Sequence, residues 1–198
     1  MAGGAQRIAI NELIAKRHSP FGFENRAIAD LDLLALLEAA RWSASAGNEQ
    51  PWSYIVAKRE DAEQFDAMLG CVAEINLAWA REAAALIVGC VRTVQETTGV
   101  RVETAEHDLG LASANLVFEA TARGIGVHQM TYIDREALRR LYGIPDHVKV
   151  VTMLAIGYEG SGAAAKRRSR KPLERFVFSH SWAQASPLVK SVDNACAG

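Results

Sequence analysis

Residues 31–57 read LDLLALLEAARWSASAGNEQPWSYIVA. Leu33, Leu34, Leu36, Leu37 and Ala40 recur at helical spacing after Asp30, which predicts a helix over Leu31–Trp42 with Asp30 as its N-cap. The helix runs out in the small residues Ser43 to Gly47. Past Pro51, the run Trp52 to Ala57 is aromatic and β-branched and stops at a charged cluster, the pattern of a strand. The intervening Ser43–Trp52 combines small residues, amides, a proline and a tryptophan. Close backbone access, amide hydrogen bonds and an aromatic surface make it a binding loop, with its ligand left open.

Working outward, Ala62 to Met68 reads as a second helix. Ala84 to Val91 is a short continuous apolar run, which suits a strand covered on both faces in the middle of a sheet. Glu103 to Arg123 reads as a long helix closed by Gly124 at the position of a left-handed C-cap. Across Leu109 to Ala122 no wide polar face remains, so the helix must be covered on several sides, by an oligomer interface or by a deep site within the chain. Asp134 caps a short helix to Tyr142, with Gly143 and Pro145 as stop signals, and Val148 to Tyr158 is another buried strand. Gly160 to Ala165 is a small-residue linker before the basic cluster Lys166 to Lys171.

At 198 residues and 49% apolar composition, the chain has enough core for one domain spanning 1–198. With 22 basic and 23 acidic residues the net charge is -1, so no overall field draws it to nucleic acid or to an anionic membrane. Cys71, Cys90 and Cys196 are odd in number and lack metal-binding spacing, as expected of reduced cytosolic thiols, and no metal site is predicted. Met1 to Ala9 has no apolar signal-peptide core and no uncharged apolar run is long enough to cross a bilayer; the cytoplasm is the expected address.

Arg17-His18-Ser19 and Arg168-Ser169-Arg170 pair guanidinium groups with hydroxyls, the chemistry a phosphate monoester wants, although either group alone is also ordinary solvated surface. Gly124-Ile125-Gly126 lacks the full dinucleotide pattern and follows a helix where a strand belongs, so Gly124 reads as a helix stop and Gly126 as a point of close backbone approach. No serine sits in a nucleophile elbow. His107 and Asp108 point about 100° apart on a helix, which favours structural or solvated roles. His128, in an apolar strand, reads alone as a satisfied core histidine.

Arg17-His18-Ser19, then LLEAARW leading into SAGNEQPW, resembles the opening third of nitroreductase-family flavoproteins. The resemblance continues through Gly124 to Met130 with Asp134, Tyr142-Gly143-Ile144-Pro145, Ala155 to Tyr158 and Arg168 to Leu173, covering about 17–182. It implies an α+β fold of three α/β/α layers, a mixed, mostly antiparallel sheet flanked by helices, in an intertwined homodimer with FMN sites built from both subunits. Arg17, His18, Ser19, Arg168 and Arg170 would then hold the flavin phosphate and ribityl chain. Ala44, Ser45, Ala46 and Asn48 match a loop contributed by the partner subunit. Asn76 takes the place of an amide reading the pyrimidine edge, and His128, Gln129, Met130 and Thr131 run along the isoalloxazine.

The implied activity is a ping-pong transfer of hydride from NAD(P)H through flavin N5 to a nitroaromatic, quinone or enone, with no catalytic side chain. Phe21 and Trp79 stand where many relatives carry a lysine, and Thr131-Tyr132 where many carry two small residues. A specialised biosynthetic or dehalogenating flavin reductase, a non-catalytic flavin-binding module and a purely structural dimer are the competing readings.

Overall fold

Alternation along two buried strands organises the layers. In β2 (Ala85–Arg92) the side chains of Ala85 and Ile87 face one side while Leu86, Val88 and Cys90 face the other. In β4 (Val148–Gly157) Leu154 and Ile156 share the first side, and Met153 and Ala155 the second. Strands apolar on both faces need cover on both faces. The computed structural model, which describes residues 8–160 and 168–189, supplies it.

β1 (Trp52–Lys58), β2, β4 and β3 (Gly126–Met130) form a four-stranded sheet in that order, with all three ladders antiparallel. Leu33, Leu36, Ala112, Leu116 and Val117, from α2 (Asp30–Arg41) and α5 (Ala105–Ala122), cover one face. Phe65 and Met68 of α3 (Ala62–Leu69), Trp79 of α4 (Glu74–Ala80) and Leu138 of α6 (Arg135–Tyr142) cover the other. The expected three-layer α+β architecture and the central position of β2 are therefore both present.

Local chemistry explains several boundaries. Asp134 caps α6 by accepting a 2.9 Å bond from the Ala137 N–H, and Gly143 closes it at φ 60. The expected Asp30 cap is not formed: Ala29 takes that position, and the Asp30 carboxylate instead accepts from Lys58 Nζ at 2.6 Å. The stretch after α3 holds α4, which has no capping side chain and spans only seven residues, too little periodicity to announce itself.

On α5, Asp108, Leu109, Ala112, Ser113, Leu116, Val117 and Ala120 are buried, whereas Gly110 and Leu111 are exposed and Ala114 and Phe118 half-buried. One copy of the chain thus covers one side of this near-apolar helix and leaves an apolar stripe on the other. No helix among the described residues is long and apolar enough to cross a membrane.

Of the described residues, 17–160 form one compact unit, which holds the sheet and α2 to α6, and 8–16 and 168–189 belong to a second. Its described part holds α1 (Glu12–Lys16), a hydrogen bond from Arg168 Nη2 to the Ala15 carbonyl, and an edge-on Phe178–Trp182 pair. Cys196, most of the small-residue linker, and Lys166 and Arg167 of the basic cluster lie outside the described residues.

Candidate functional site

The segment after Lys16 is drawn against the ends of β3 and β4. Phe23 bridges Glu159, the Glu24 N–H donates to the Tyr158 carbonyl at 2.8 Å, and the Gly160 N–H donates to Gly22 at 3.2 Å. Gly126 permits the approach: a Cβ there would lie 2.8 Å from Pro20 Cγ. Arg17, His18 and Ser19 are thereby brought to the edge of the sheet beside Glu159. Arg17 Nη1 donates to Ser19 Oγ at 3.3 Å, and His18 Nε2 lies 2.9 Å from both Glu159 carboxylate oxygens.

His128 faces this segment from β3. Its Nδ1 is 2.8 Å from the Pro20 carbonyl, which can only accept, so Nδ1 carries the proton. Burial pushes the imidazole pKa down, the Pro20 bond opposes this, and the Arg17 charge lowers it further. The ring is neutral at pH 7. Trp79 stacks on it at 4.1 Å between centroids, and Phe21 meets both rings edge-on. Phe21 and Trp79, which the resemblance set at the place of a lysine, are thus gathered with His128 into an aromatic cluster.

Asn76 lies in α4 one turn before Trp79, and Gln129, Met130 and Thr131 follow His128 at the end of β3. Val72 bridges Ile133, Ala73 N–H donates to the Tyr132 carbonyl at 3.0 Å, and Asp134 N–H to the Cys71 carbonyl at 2.7 Å. A groove of about 380 Å³ runs along this crossing, lined by residues including Ala73, Thr131 and Tyr132. The Met130 side chain is buried in the core, so only its backbone can face a ligand. Gln129, Thr131 and Tyr132 are exposed, and the Tyr132 N–H has no acceptor among the described residues.

The loop of Ala44, Ser45, Ala46 and Asn48 lies elsewhere. Its backbone turns back through positive φ at Gly47 (58), Asn48 (57) and Gln50 (45), two of them non-glycine. It leads to Pro51, whose carbonyl accepts from the Arg92 N–H at the far end of β2 and beside the opposite edge strand from β3. From Ala85 to Val91 the extended chain covers about 20 Å, and three strand spacings add about 14 Å across the sheet. The structure therefore brings Arg17, His18 and Ser19 to the start of β3 near His128, sets Ala73 against Tyr132 past the end of that strand, and places Ala44, Ser45, Ala46 and Asn48 at the corner of the sheet diagonally opposite Gly126. Arg168 and Arg170 belong to the other unit, where Arg170 Nη1 donates to the Ser169 carbonyl at 2.9 Å.

Sequence reasoning missed Glu159, which has no local signal, and gave Asp108 only a structural or solvated role. A carboxylate in the first turn of an almost apolar helix was the available clue: Asp108 is 2% exposed and accepts from Thr104 Oγ1 at 2.9 Å. Among the described residues no group of three or more His, Cys, Asp or Glu could hold a metal ion.

Residues 14–158 match the family model described as the nitroreductase family. An Archaeoglobus fulgidus protein named "Putative NADH dehydrogenase/NAD(P)H nitroreductase" is 31% identical over 158 residues, 74% of this chain and 83% of its own. A Methanothermobacter thermautotrophicus protein of the same name is 28% identical over 79% of this chain and 80% of its own. Among solved structures, one described as an oxidoreductase containing FMN superposes with a TM-score of 0.82 at 26% identity, covering 93% of this chain and all of the other. A nitroreductase family protein from Clostridium difficile 630 superposes at 0.72 with 22% identity, over 88% of this chain and 99% of its own, and shows the shared fold. With the matched model running from α1 through the whole sheet to Tyr158, the chain belongs to the nitroreductase family.

Proposed function

We propose that this protein is an FMN-dependent oxidoreductase that passes hydride from NAD(P)H to an electron-poor acceptor, a nitroaromatic, quinone or enone, and works as a cytoplasmic homodimer. Family membership makes it an oxidoreductase. The FMN in a 26% identical structure and the NAD(P)H in the relatives' name support the finer reading. The observation that carries it is the split site. In one copy the segment 17–19 at the start of β3 and the loop 44–48 lie at opposite corners of the sheet; with both assigned to the flavin by the family resemblance, a second copy would deliver one of them. The apolar stripe left on α5 supplies a surface for that copy.

The residues fit FMN by their chemistry. Arg17 and Ser19 offer a cation and a hydroxyl for the phosphate, and His18, held by Glu159, stands beside them. Arg168 and Arg170 are assigned to the phosphate by the family resemblance alone. Asn76 offers an amide to the pyrimidine edge, and the Tyr132 N–H has its donor available beside the groove. Trp79, Phe21 and His128 offer an aromatic surface where the resemblance places a lysine in many relatives, with Trp79 buried and Phe21 exposed. Bound FMN would supply the hydride-accepting centre, so no side chain here needs to act as acid or base.

Purified protein stripped of flavin should take up FMN, retain it through desalting, and bleach on anaerobic NADH or NADPH, while light scattering gives twice the chain mass. Colourless protein after reconstitution and desalting would sink the flavin reading, and a monomer that binds FMN fully would sink the two-copy site. Arg170→Ala should lower FMN retention strongly; unchanged occupancy would remove it from the phosphate site.

A further inference from the structure

The 44–50 loop is held from behind by two side chains of opposite charge, both acting on its backbone. Asp108, buried in the first turn of α5, accepts the Ala46 N–H at 3.4 Å with the same oxygen that takes the Thr104 hydroxyl. Arg92, at the end of β2, donates through Nη2 to the Glu49 carbonyl at 3.1 Å while its Nη1 is paired with Glu96 at 2.7 Å. Gln95 Nε2 adds a 3.1 Å bond to the Glu49 carboxylate. Between these anchors lie the left-handed residues Gly47 and Asn48, with Gln50 just beyond. Left-handed conformations at non-glycine residues persist only where surroundings over-determine them. Ala44, Ala46, Gly47 and Asn48 remain exposed on the outward side.

We propose that Asp108 and Arg92 are positioning residues that clamp this loop in the shape a flavin on a second copy requires. The proposal rests on the flavin reading above. Neither residue touches the ligand: the carboxylate fixes a backbone donor, the guanidinium fixes a backbone acceptor, and the outward face stays open for binding. The helix N-terminus favours a negative charge at Asp108, and the Thr104 hydroxyl holds the carboxylate in place. With the loop ordered in advance, binding does not have to pay for ordering it.

The test measures FMN affinity of apoprotein by flavin fluorescence, the visible spectrum of bound flavin, and amide exchange across 44–50 without flavin. Asp108→Ala and Arg92→Ala should each weaken FMN binding by about tenfold or more. They should also shift the flavin spectrum and accelerate exchange at Ala46 or in the Glu49 turn. Asp108→Asn, which keeps the acceptor, should stay within about threefold of wild type. Thr104→Val, which loosens Asp108 without removing it, serves if the alanine variants do not fold, with about a threefold loss expected. Wild-type affinity and spectrum in folded Asp108→Ala or Thr104→Val protein would overturn the proposal. Should wild-type apoprotein not bind FMN, the flavin reading fails by itself. The exchange comparison still decides the clamp: unchanged Ala46 protection in Asp108→Ala overturns it.

Discussion

The imidazole of His128 stacks on the indole of Trp79, centroids 4.1 Å apart and planes at 24°, while its Nδ1–H is held by the Pro20 carbonyl. Burial between these partners lowers its pKa. An unfolded histidine titrates near about 6.5, so from that pH downward the unfolded chain binds the proton first. The contribution of His128 to stability is therefore complete above about pH 6.5 and is lost as pH falls toward the folded pKa. Thermal melts should show a decline across this window that is shallower in His128→Gln. Equal slopes in both proteins would mean that His128 titrates as it does unfolded.

Gly126 meets Pro20 with no room for a methyl group: a Cβ would lie 2.8 Å from Pro20 Cγ and 3.3 Å from the Gly157 carbonyl. Gly126→Ala should cost about 1–3 kcal/mol in urea unfolding. By displacing Pro20 and the residues before it, the change should also weaken FMN binding. Full stability would show that the 17–23 segment yields easily.

Asp134 joins two parts of the candidate groove, because it caps α6 through the Ala137 N–H and gives its own N–H to the Cys71 carbonyl. Only the first interaction uses the side chain. Asp134→Ala is expected to lower stability by about 1 kcal/mol, read from the urea midpoint at unchanged slope. No shift in the midpoint would remove the cap from the account of this helix.

Cys90 is buried in the middle of the sheet, and that burial raises its thiol pKa to about 11. Cys71 is raised too, first by burial and then by the Asp134 carboxylate. Thiolate is the reactive form, so at pH 8 the peptides containing these cysteines should stay unalkylated in native protein and react quickly in denaturant. Rapid native labelling of Cys90 would reveal local opening of β2.

Burial and periodicity made most elements legible. The runs at 52–57, 84–91 and 148–158 lie within a residue or so of β1, β2 and β4: the two inner strands are covered on both faces and so are largely apolar, and the half-buried edge strand β1 is marked by its aromatic and β-branched residues. Asp134 and Gly143 marked the ends of α6 by chemistry that acts within one turn. Asp30 misled for the complementary reason: its carboxylate is taken by Lys58, 28 residues away, a partner no local rule can supply. α4 escaped because its identity depends on Trp79 reaching the core rather than on caps or repeats.

The sequence by itself determined the family, through motifs that resemble it in order along nearly the whole chain, and that resemblance implied the three-layer α+β fold. Spacing and composition alone gave most of the helices and strands and a binding loop without its ligand. Tertiary structure decided which residues meet. It set Arg17, His18 and Ser19 against Glu159 and His128, and made a neutral aromatic cluster from Phe21, Trp79 and His128. It also fixed the 44–50 loop from behind with Asp108 and Arg92 at the opposite corner of the sheet. Each of these contacts joins residues far apart in the chain, and the order of the antiparallel strands, not the order of the sequence, determines that separation in space.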